Sequence, residues 1–536
     1  MSSFLKEAGL KFLVSPSVIA SFILSVLGLI LLRFIHINYL FLVIIIGFSY
    51  YVFSTLRVST KLMCGKQRFP KKSVRNLIIV ALIFIFSLIP TLISTYFYSS
   101  IYTSNEFQQI KEVSSEVSTD VFPEKDASGI VSIPIDTAVV ALFFSLIFIF
   151  DLLLPVFVFL LIKFTSIFAT FYRKRKINYA KKKIKQIEKL KIVGITGSYG
   201  KTTTKELTHL ILKKKFKVYS TPANVNSDIG VANTILSNMS FIVDVFIVEM
   251  GAYKRNEIKK ICDIVSPDIS VITAISNQHL ALFKSIENTL KSKYEVVENA
   301  KDDAIVVLNG DNDLTLRIAG KSSKKEILYS TKKEMDIYAT DIKSREDALE
   351  FNVHYKDKVQ RFEVKILGEY NVSNILAATS VCLSLGMKLS EIAKALKEGS
   401  KTKHVGKLRK KISKFGYRVL DDSYNSNYVG FSAALDVLDK MKGEKKILVT
   451  IGIIELGSQR ASVYKDLAKK ISDVCDVLVT SDNKLKKEVE KATDNVEIVF
   501  DNGIHKQLKY LKNEVSSNDI VLFEGPNLRL VQEIVK

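Results

Sequence analysis

Gly197-Ser198-Tyr199-Gly200-Lys201-Thr202 sets two glycines three residues apart, followed by a lysine and a hydroxyl. Glycines in that arrangement let backbone N–H groups approach phosphate oxygens. The lysine neutralises β and γ oxygens, and the threonine can ligate Mg²⁺. The chemistry such spacing serves is the binding and transfer of nucleotide phosphates. The longer pattern GxxxxGK[ST] is not met, because position 195 is Ile, and the shorter GxxGKT form stands instead. Other residue types able to do chemistry are scattered: Glu249 closes an apolar run, His279 follows Asn277-Gln278, and Lys291 and Lys293 lie in a Lys-rich stretch. Taken singly, these read as a surface carboxylate, a structural imidazole and solvated lysines. Cys64, Cys262, Cys382 and Cys475 form no CxxC or Cys/His cluster, and they read as reduced thiols without a zinc site.

A phosphate loop needs a strand before it and a helix after it. Lys191 to Thr196 reads as that strand and Lys201 to Lys213 as that helix. Further β-rich runs at Val243–Glu249, Ile269–Ala274 and Ala304–Leu308 alternate with amphipathic stretches, which predicts a parallel sheet with helices on both faces. Residues 325–366 read as β-hairpins added to that sheet. A second α/β block begins near Tyr417, with strands at Arg418–Leu420, Lys446–Ile451, Val477–Thr480, Val496–Phe500 and Ile520–Phe523. The boundary between the two blocks falls at 403–410, around Gly406. The fold class is thus α/β: a P-loop-type parallel-sheet ATPase domain followed by a Rossmann-like α/β domain.

The chain has 536 residues, enough for three or four domains of roughly 150 residues. It is 48% apolar yet 25% charged, with 77 basic against 55 acidic side chains and a formal charge of +22. The basic excess is densest in the first third, which points to an anionic membrane surface rather than to nucleic acid. Apolar runs near 12–32, 37–56, 76–98 and 138–162 each reach the ~20 residues that cross a bilayer as a helix. Arg57, Lys61, Lys66, Arg68, Lys71, Lys72 and Arg75 follow the second run without an acid among them, and Arg173-Lys174-Arg175-Lys176 follows the fourth. The segment between the third and fourth runs is net acidic. The positive-inside bias then predicts a four-helix transmembrane domain with both termini cytosolic. Asp151, four residues before Pro155, falls inside the fourth run, where a carboxylate marks either a function or a bundle-facing hydrogen bond.

The loop and the segments after it fall in an order that resembles the Mur ligase family, which adds amino acids or peptides to cell-wall precursors. The likeness is greatest to its D-alanyl-D-alanine-adding, MurF-type branch. The segments are Gly197 to Glu206, Asn224-Val225-Asn226-Ser227-Asp228-Ile229-Gly230, Val248-Glu249-Met250-Gly251-Ala252, Ile275-Ser276-Asn277-Gln278-His279-Leu280, Lys291-Ser292-Lys293-Tyr294-Glu295 and Leu308-Asn309-Gly310-Asp311. Gly368-Glu369-Tyr370-Asn371-Val372-Ser373-Asn374, Asp421-Asp422-Ser423-Tyr424-Asn425-Ser426-Asn427 and Glu455-Leu456-Gly457 complete the set. The resemblance implies ATP and two Mg²⁺ ions. Gly197, Ser198, Gly200, Lys201, Thr202 and Thr203 would cradle the phosphates, and Thr202, Glu249, His279 and Lys293 would ligate metal, Lys293 as a carbamate. Lys291 is the rival for that position if the register slips by two. Lys201, Lys293 and His279 would be the catalytic groups. Asn374 would reach the adenine, Asp422 the ribose, and Asn309 the nucleotide's surroundings, with Asn224, Asn226, Tyr424 and Asn425 on the substrate side.

The implied reaction activates a peptide carboxylate as an acyl phosphate, which the amine of a D-amino acid or dipeptide then displaces. The acceptor is a muropeptide or a lipid-linked cell-wall precursor, and nucleic acid is no partner. The expected division is a transmembrane domain at 1–172, a basic linker at 173–189, a central ATP-binding domain at 190–405 and a C-terminal domain at 406–536. In this arrangement the membrane domain stands where soluble family members carry a small uridine-nucleotide domain, giving a multi-pass plasma-membrane protein with cytoplasmic catalytic domains. The sequence departs from the family at Tyr370, where a His is usual, and at Gly406-Lys407, where Gly-Arg is usual and Arg409 stands near as a substitute. It departs again at Glu524-Gly525-Pro526-Asn527, in place of Lys-Gly-Ser. Other readings are a ligase of the same fold extending polyglutamate or a cyanophycin-like chain, a membrane protein with a regulatory ATPase domain, and a nucleotide-binding scaffold without catalysis.

Overall fold

The computed structural model describes residues 137–535 apart from 277–284, 346, 403–407, 424–425, 454–455, 457–459, 502–503 and 526–527. The chain divides into two compact units, Met1–Tyr172 and Arg173–Lys536. Three of the four expected spans, 12–32, 37–56 and 76–98, lie outside the described residues. The fourth falls on helix α1, Thr137–Lys185, whose side chains are described at Leu160 and from Ile162 on, so that of Asp151 lies outside the described set. Among the described residues no helix is long and apolar enough to cross a membrane. The expected multi-pass plasma-membrane localisation is corrected on that finding, which leaves the expected four-helix transmembrane domain without support. Toward its C-terminal half α1 carries Lys163, Thr165, Ser166 and Thr170, and it runs on through the basic residues that follow.

From Arg173 on, α1 belongs to the second unit. Its Ala180 and Ile184, with Ile187 and Leu190 just beyond, are buried in that unit's core, so the expected linker is a packed helical end. The first sheet follows: β1 (Lys191–Thr196), α2 (Lys201–Leu212), β2 (Val218–Ser220), α3 (Asp228–Asn238), β3 (Val245–Glu249), α4 (Glu257–Val265), β4 (Ile269–Ile272), α5 (Ile286–Glu298), β5 (Ile305–Asn309), the short α6 (Asp313–Leu316) and β6 (Lys325–Ser330). β7 (Ile337–Ser344), β8 (Leu349–Tyr355) and β9 (Lys358–Val364) extend it as an antiparallel meander, and α7 (Asn371–Ser384) and α8 (Leu389–Thr402) close the region. The strand order is β2-β3-β1-β4-β5-β6-β7-β8-β9, parallel from β2 through β7. The hairpins expected over 325–366 are therefore three strands, with β6 continuing the parallel part. The central strands read as nearly continuous apolar runs because helices cover both faces. Val193 and Ile195 face Leu207, Leu210 and Ile211 of α2 with α7, and Ile192, Phe246 and Val248 face α3, α4 and the end of α1.

The second sheet contains β10 (Arg409–Ile412), β11 (Arg418–Asp422), β12 (Lys446–Thr450), β13 (Val477–Thr480), β14 (Glu497–Phe500) and β15 (Ile520–Glu524), in the order β10-β11-β15-β12-β13-β14. Only the edge strand β10 runs antiparallel among its described pairs. Helices α9 (Tyr428–Lys440) and α10 (Arg460–Val474) pack on one face with Leu420, Leu448, Leu478 and Leu522. Leucines and valines from α11 (Asn483–Ala492), α12 (Ile504–Asn513) and α13 (Leu528–Ile534) complete the two cores. Leu367 lies in the second sheet's core, and Lys440 Nζ meets Glu369 Oε2 at 3.2 Å, so the turn before α7 ties the two sheets together.

Candidate active site

The GxxGKT run forms the turn from β1 into α2. Gly197 (φ 150°) and Gly200 (φ 81°) take conformations that other residues resist. A Cβ at Gly200 would also fall 2.4 Å from Asn374 Oδ1, so glycine there permits close approach as well as the turn. The loop is clamped to the turn after β4. Ser198 N donates to Ala274 O at 2.7 Å, Ser276 N to Ser198 Oγ at 3.0 Å, and Thr273 Oγ1 to Tyr199 O. That turn is braced in its own right: Asn312 exchanges two bonds with the backbone of Ile275, at 3.1 and 3.0 Å. Asn309 Nδ2 and Tyr329 OH both donate to Thr273 O, at 2.8 and 3.1 Å. The result is a rigid loop whose N–H groups and helix dipole suit an anion. Lys201 Nζ lies at its mouth, donating to Gly197 O at 2.6 Å and Ser198 O at 3.2 Å. Thr202 is half-buried and Thr203 buried.

Glu249 ends β3 in register with Ile195, one residue short of the end of β1, which brings a buried carboxylate to the loop's flank. Lys205 Nζ holds its Oε2 at 3.0 Å, with the two side chains 3% and 2% exposed. Asn226 Nδ2 approaches Oε1 at 3.4 Å, and Thr221 Oγ1 accepts from the Glu249 N–H at 3.0 Å. Lys293, on α5, is buried, and its ammonium is pushed down to about 7, first by loss of solvent and then by repulsion from Lys201; Glu295 and Glu257 act in the opposite sense. Three lysines, at 201, 205 and 293, and one carboxylate thus meet around the first turns of α2. Lys291, the sequence rival, is exposed. Hydroxyl and carboxylate oxygens at Thr202 and Glu249 are the donor type a hard divalent cation takes. Among the described residues no three His, Cys, Asp or Glu side chains gather into a metal site of their own.

Asn374 is buried against the loop, 3.4 Å from Thr204 Oγ1 and steadied by Asn371 Oδ1 at 2.8 Å. Asn309 is committed to Thr273 and, at 3.3 Å, Ser373 Oγ. Asn226 bonds through its carbonyl to Gly251 N at 2.9 Å, whereas Asn224 is exposed with φ 63°. Asp422 is buried at the end of β11 in the second sheet. His279, Tyr424 and Asn425 lie outside the described residues. Sequence reasoning missed Lys205, Thr273, Asn312 and Glu295. Glu295 caps α4 by accepting from Asn256 N at 2.6 Å and Lys259 N at 3.1 Å. Lys205 had a signal: it stands one helical turn after Lys201 and so shares its face.

Two family models match the chain, the Mur ligase middle domain over residues 195–382 and the Mur ligase glutamate ligase domain over residues 406–527. The UDP-N-acetylmuramoyl-tripeptide–D-alanyl-D-alanine ligase of Bacillus subtilis (strain 168) is 29% identical over 353 residues, covering 65% of this chain and 75% of that protein. The enzyme of the same name from Buchnera aphidicola subsp. Acyrthosiphon pisum is 31% identical over 339 residues, 62% of this chain and 72% of that one. Among solved structures, MurF from Acinetobacter baumannii superposes with a TM-score of 0.61 at 25% identity, covering 67% of this chain and 79% of that chain.

Proposed function

The chain belongs to the Mur ligase family, and on that premise we propose that it joins D-alanyl-D-alanine, or a similar D-amino acid or dipeptide, to the peptide of a peptidoglycan precursor. It is an ATP-dependent ligase that forms a peptide bond. The observation that carries the proposal is the meeting of a clamped phosphate loop with a buried lysine poised near neutrality and a buried carboxylate.

The backbone N–H groups of 199–202 and the start of α2 orient the triphosphate, and Lys201 offsets the charge that grows on the transferring phosphoryl group. When bound, Mg²⁺ supplies further neutralisation of phosphate charge, and Thr202 and Glu249 are the residues here that would hold it, with His279 kept in the assignment on the family resemblance. Lys205 and Asn226 keep the Glu249 carboxylate in one orientation. Lys293 carries the carbamate chemistry: the ammonium first loses a proton, and the neutral amine then forms an N–C bond to CO₂ and releases a second, leaving an anion where a buried cation stood. An ordinary lysine is too rarely neutral for this, and burial beside Lys201 removes that obstacle. The acceptor carboxylate then takes the γ-phosphoryl group, and the incoming amine expels phosphate from the acyl phosphate. Asp422, Tyr424 and Asn425 are assigned to the face the second domain presents, and closure of the domains excludes the water that would hydrolyse the intermediate.

The test is the purified full-length chain with ATP, Mg²⁺ and acceptor peptides, supplied nucleotide-linked or polyprenyl-linked, against a panel of D-amino acids and dipeptides. Phosphate release should require both an acceptor and D-alanyl-D-alanine, and mass spectrometry should find the acceptor heavier by the dipeptide less one water. Lys201→Ala should lower kcat by about 10²–10³. Equal ATP hydrolysis without acceptor, or selective use of a glutamate chain, would overturn the proposal.

A further inference from the structure

The basic end of α1 grips the helix that leads into the site. Arg173 Nη2 reaches both carboxylate oxygens of Asp228, at 2.6 Å for Oδ2. Lys176 Nζ donates to Asn233 Oδ1 at 3.2 Å and Lys183 Nζ to Ile235 O at 2.9 Å. These contacts fall on the first turn, the middle and the last turn of α3. Below them Ala180, Ile184 and Ile187 share one apolar core with Val231, Ala232 and Ile235. The Asp228 side chain is only 7% exposed, so the half-exposed guanidinium, rather than water, settles where it points. Asp228 also accepts from its neighbour Ile229 N at 2.7 Å, and Ser227 Oγ caps the helix by accepting from Gly230 N at 3.3 Å. Two residues earlier stands Asn226. Its backbone is locked to Gly251, and its amide meets Glu249 at 3.4 Å; a Cβ on Gly251 would fall 2.8 Å from the Asn226 side chain. A continuous path of bonded groups therefore runs from Arg173 through Asp228 and the 224–228 turn to the Glu249 carboxylate.

We propose that Arg173 is a positioning residue for the ligase reaction: by fixing Asp228 it sets Asn226 against Glu249 and so aims that carboxylate at the phosphate loop. The inference rests on the assignment of Glu249 to the divalent ion. A helix clamp without this role would add stability and leave the reaction's metal requirement unchanged.

The experiment compares full-length wild type with Arg173→Ala, Arg173→Lys, Asp228→Asn and Glu249→Gln, measuring ATP-dependent phosphate release across a Mg²⁺ titration alongside the thermal midpoint. Arg173→Ala should raise the Mg²⁺ concentration for half-maximal rate about tenfold, the size usual when a group that orients a metal ligand is removed. At saturating Mg²⁺ its kcat should stay within about twofold of wild type, a split that marks lost positioning rather than lost chemistry. Asp228→Asn should behave likewise. Arg173→Lys should recover part of the loss, since an ammonium keeps the charge without the planar fork. An unchanged Mg²⁺ requirement in Arg173→Ala, with or without a lower thermal midpoint, overturns the inference when Glu249→Gln is itself impaired. If Glu249→Gln keeps the wild-type Mg²⁺ requirement, the underlying assignment falls first, and the inference with it.

Discussion

Both sheets carry polar side chains at the carboxyl ends of parallel strands, where ligands of open α/β sheets gather, yet the two edges are wired in opposite ways. In the second sheet Asp482 accepts from Arg460 Nη2, from Tyr464 OH at 2.6 Å, and from the N–H groups of Lys484 and Leu485 at 2.9 and 3.3 Å. Burial alone would raise this carboxyl; the bonds from Tyr464 and Arg460 outweigh it and hold the group below its ordinary value. The circuit closes on itself, with Ile453 N donating to Tyr464 OH at 3.1 Å. At the first sheet's edge like charges are pressed together instead: Lys293 is buried beside Lys201, and its affinity for a proton falls. Bonds that converge in this way on one buried carboxylate rigidify a fold. A buried lysine whose proton affinity is lowered in this way is the kind of group that chemistry can recharge, which a network of paired groups is not.

The largest effect that would test this contrast is the loss of the fully buried Lys205–Glu249 ion pair beside the phosphate loop. Lys205→Met leaves the Glu249 carboxylate buried without its cation, and breaking a pair so deeply placed costs about 3–5 kcal/mol. Urea unfolding should show that loss, and the double variant Lys205→Met/Glu249→Gln should regain most of it because no charge is then stranded. Arg460→Met should cost less, since Asp482 keeps Tyr464 and two backbone donors. Equal losses at the two positions would erase the distinction.

How much of this was legible depended on whether a residue's role is local. The phosphate loop was, because glycine spacing, strand and helix all sit within one short stretch, and the alternation of β-rich and amphipathic runs disclosed both sheets. The edge strands β2 and β10 were not. One is three residues long, and the other, Arg409-Lys410-Lys411-Ile412, reads as a charge run although its pairing with β11 makes it a strand. The same masking hid the docking of α1: Ile177, Ala180, Ile184 and Ile187 keep helical spacing, but lysines between them give the segment the texture of a linker. The resemblance favoured Lys293 over Lys291, but residue type and spacing could not separate them, because both are lysines of one helix that only tertiary burial distinguishes.

A smaller effect compares two glycines. Gly200→Ala and Gly452→Ala each force a Cβ into left-handed backbone, at φ 81° and 76°, and each brings it within 2.4 Å of a polar atom: Asn374 Oδ1 in the first case, Asp482 Oδ2 and Tyr464 OH in the second. Each should destabilise the fold by about 1–3 kcal/mol. The consequences should part company in kinetics, with Gly200→Ala raising the KM for ATP and Gly452→Ala leaving it near wild type while lowering the thermal midpoint. A raised KM in Gly452→Ala would place its cluster inside the nucleotide site and blur the contrast.

The last test reads the Lys293 charge directly. Its ammonium titrates at about 7 in the folded chain against an ordinary 10.5, so between those values the unfolded chain holds a proton that the folded chain has released. Stability should therefore rise with pH through this window, with a slope from this group of at most about 1.4 kcal/mol per pH unit. Below about 7 both states are protonated, and the cost of burying the cation is present in full. Lys293→Met removes the group and should flatten the profile between 7 and 10.5 in urea unfolding with CO₂ excluded. Added bicarbonate should extend the rise of the wild-type profile below pH 7 and leave the variant unmoved, because a folded-state carbamate carries no proton while the unfolded amine still takes one up. Wild type and Lys293→Met with parallel profiles would mean that the lysine is solvated like any other, and the first edge would lose the feature that sets it apart from the second.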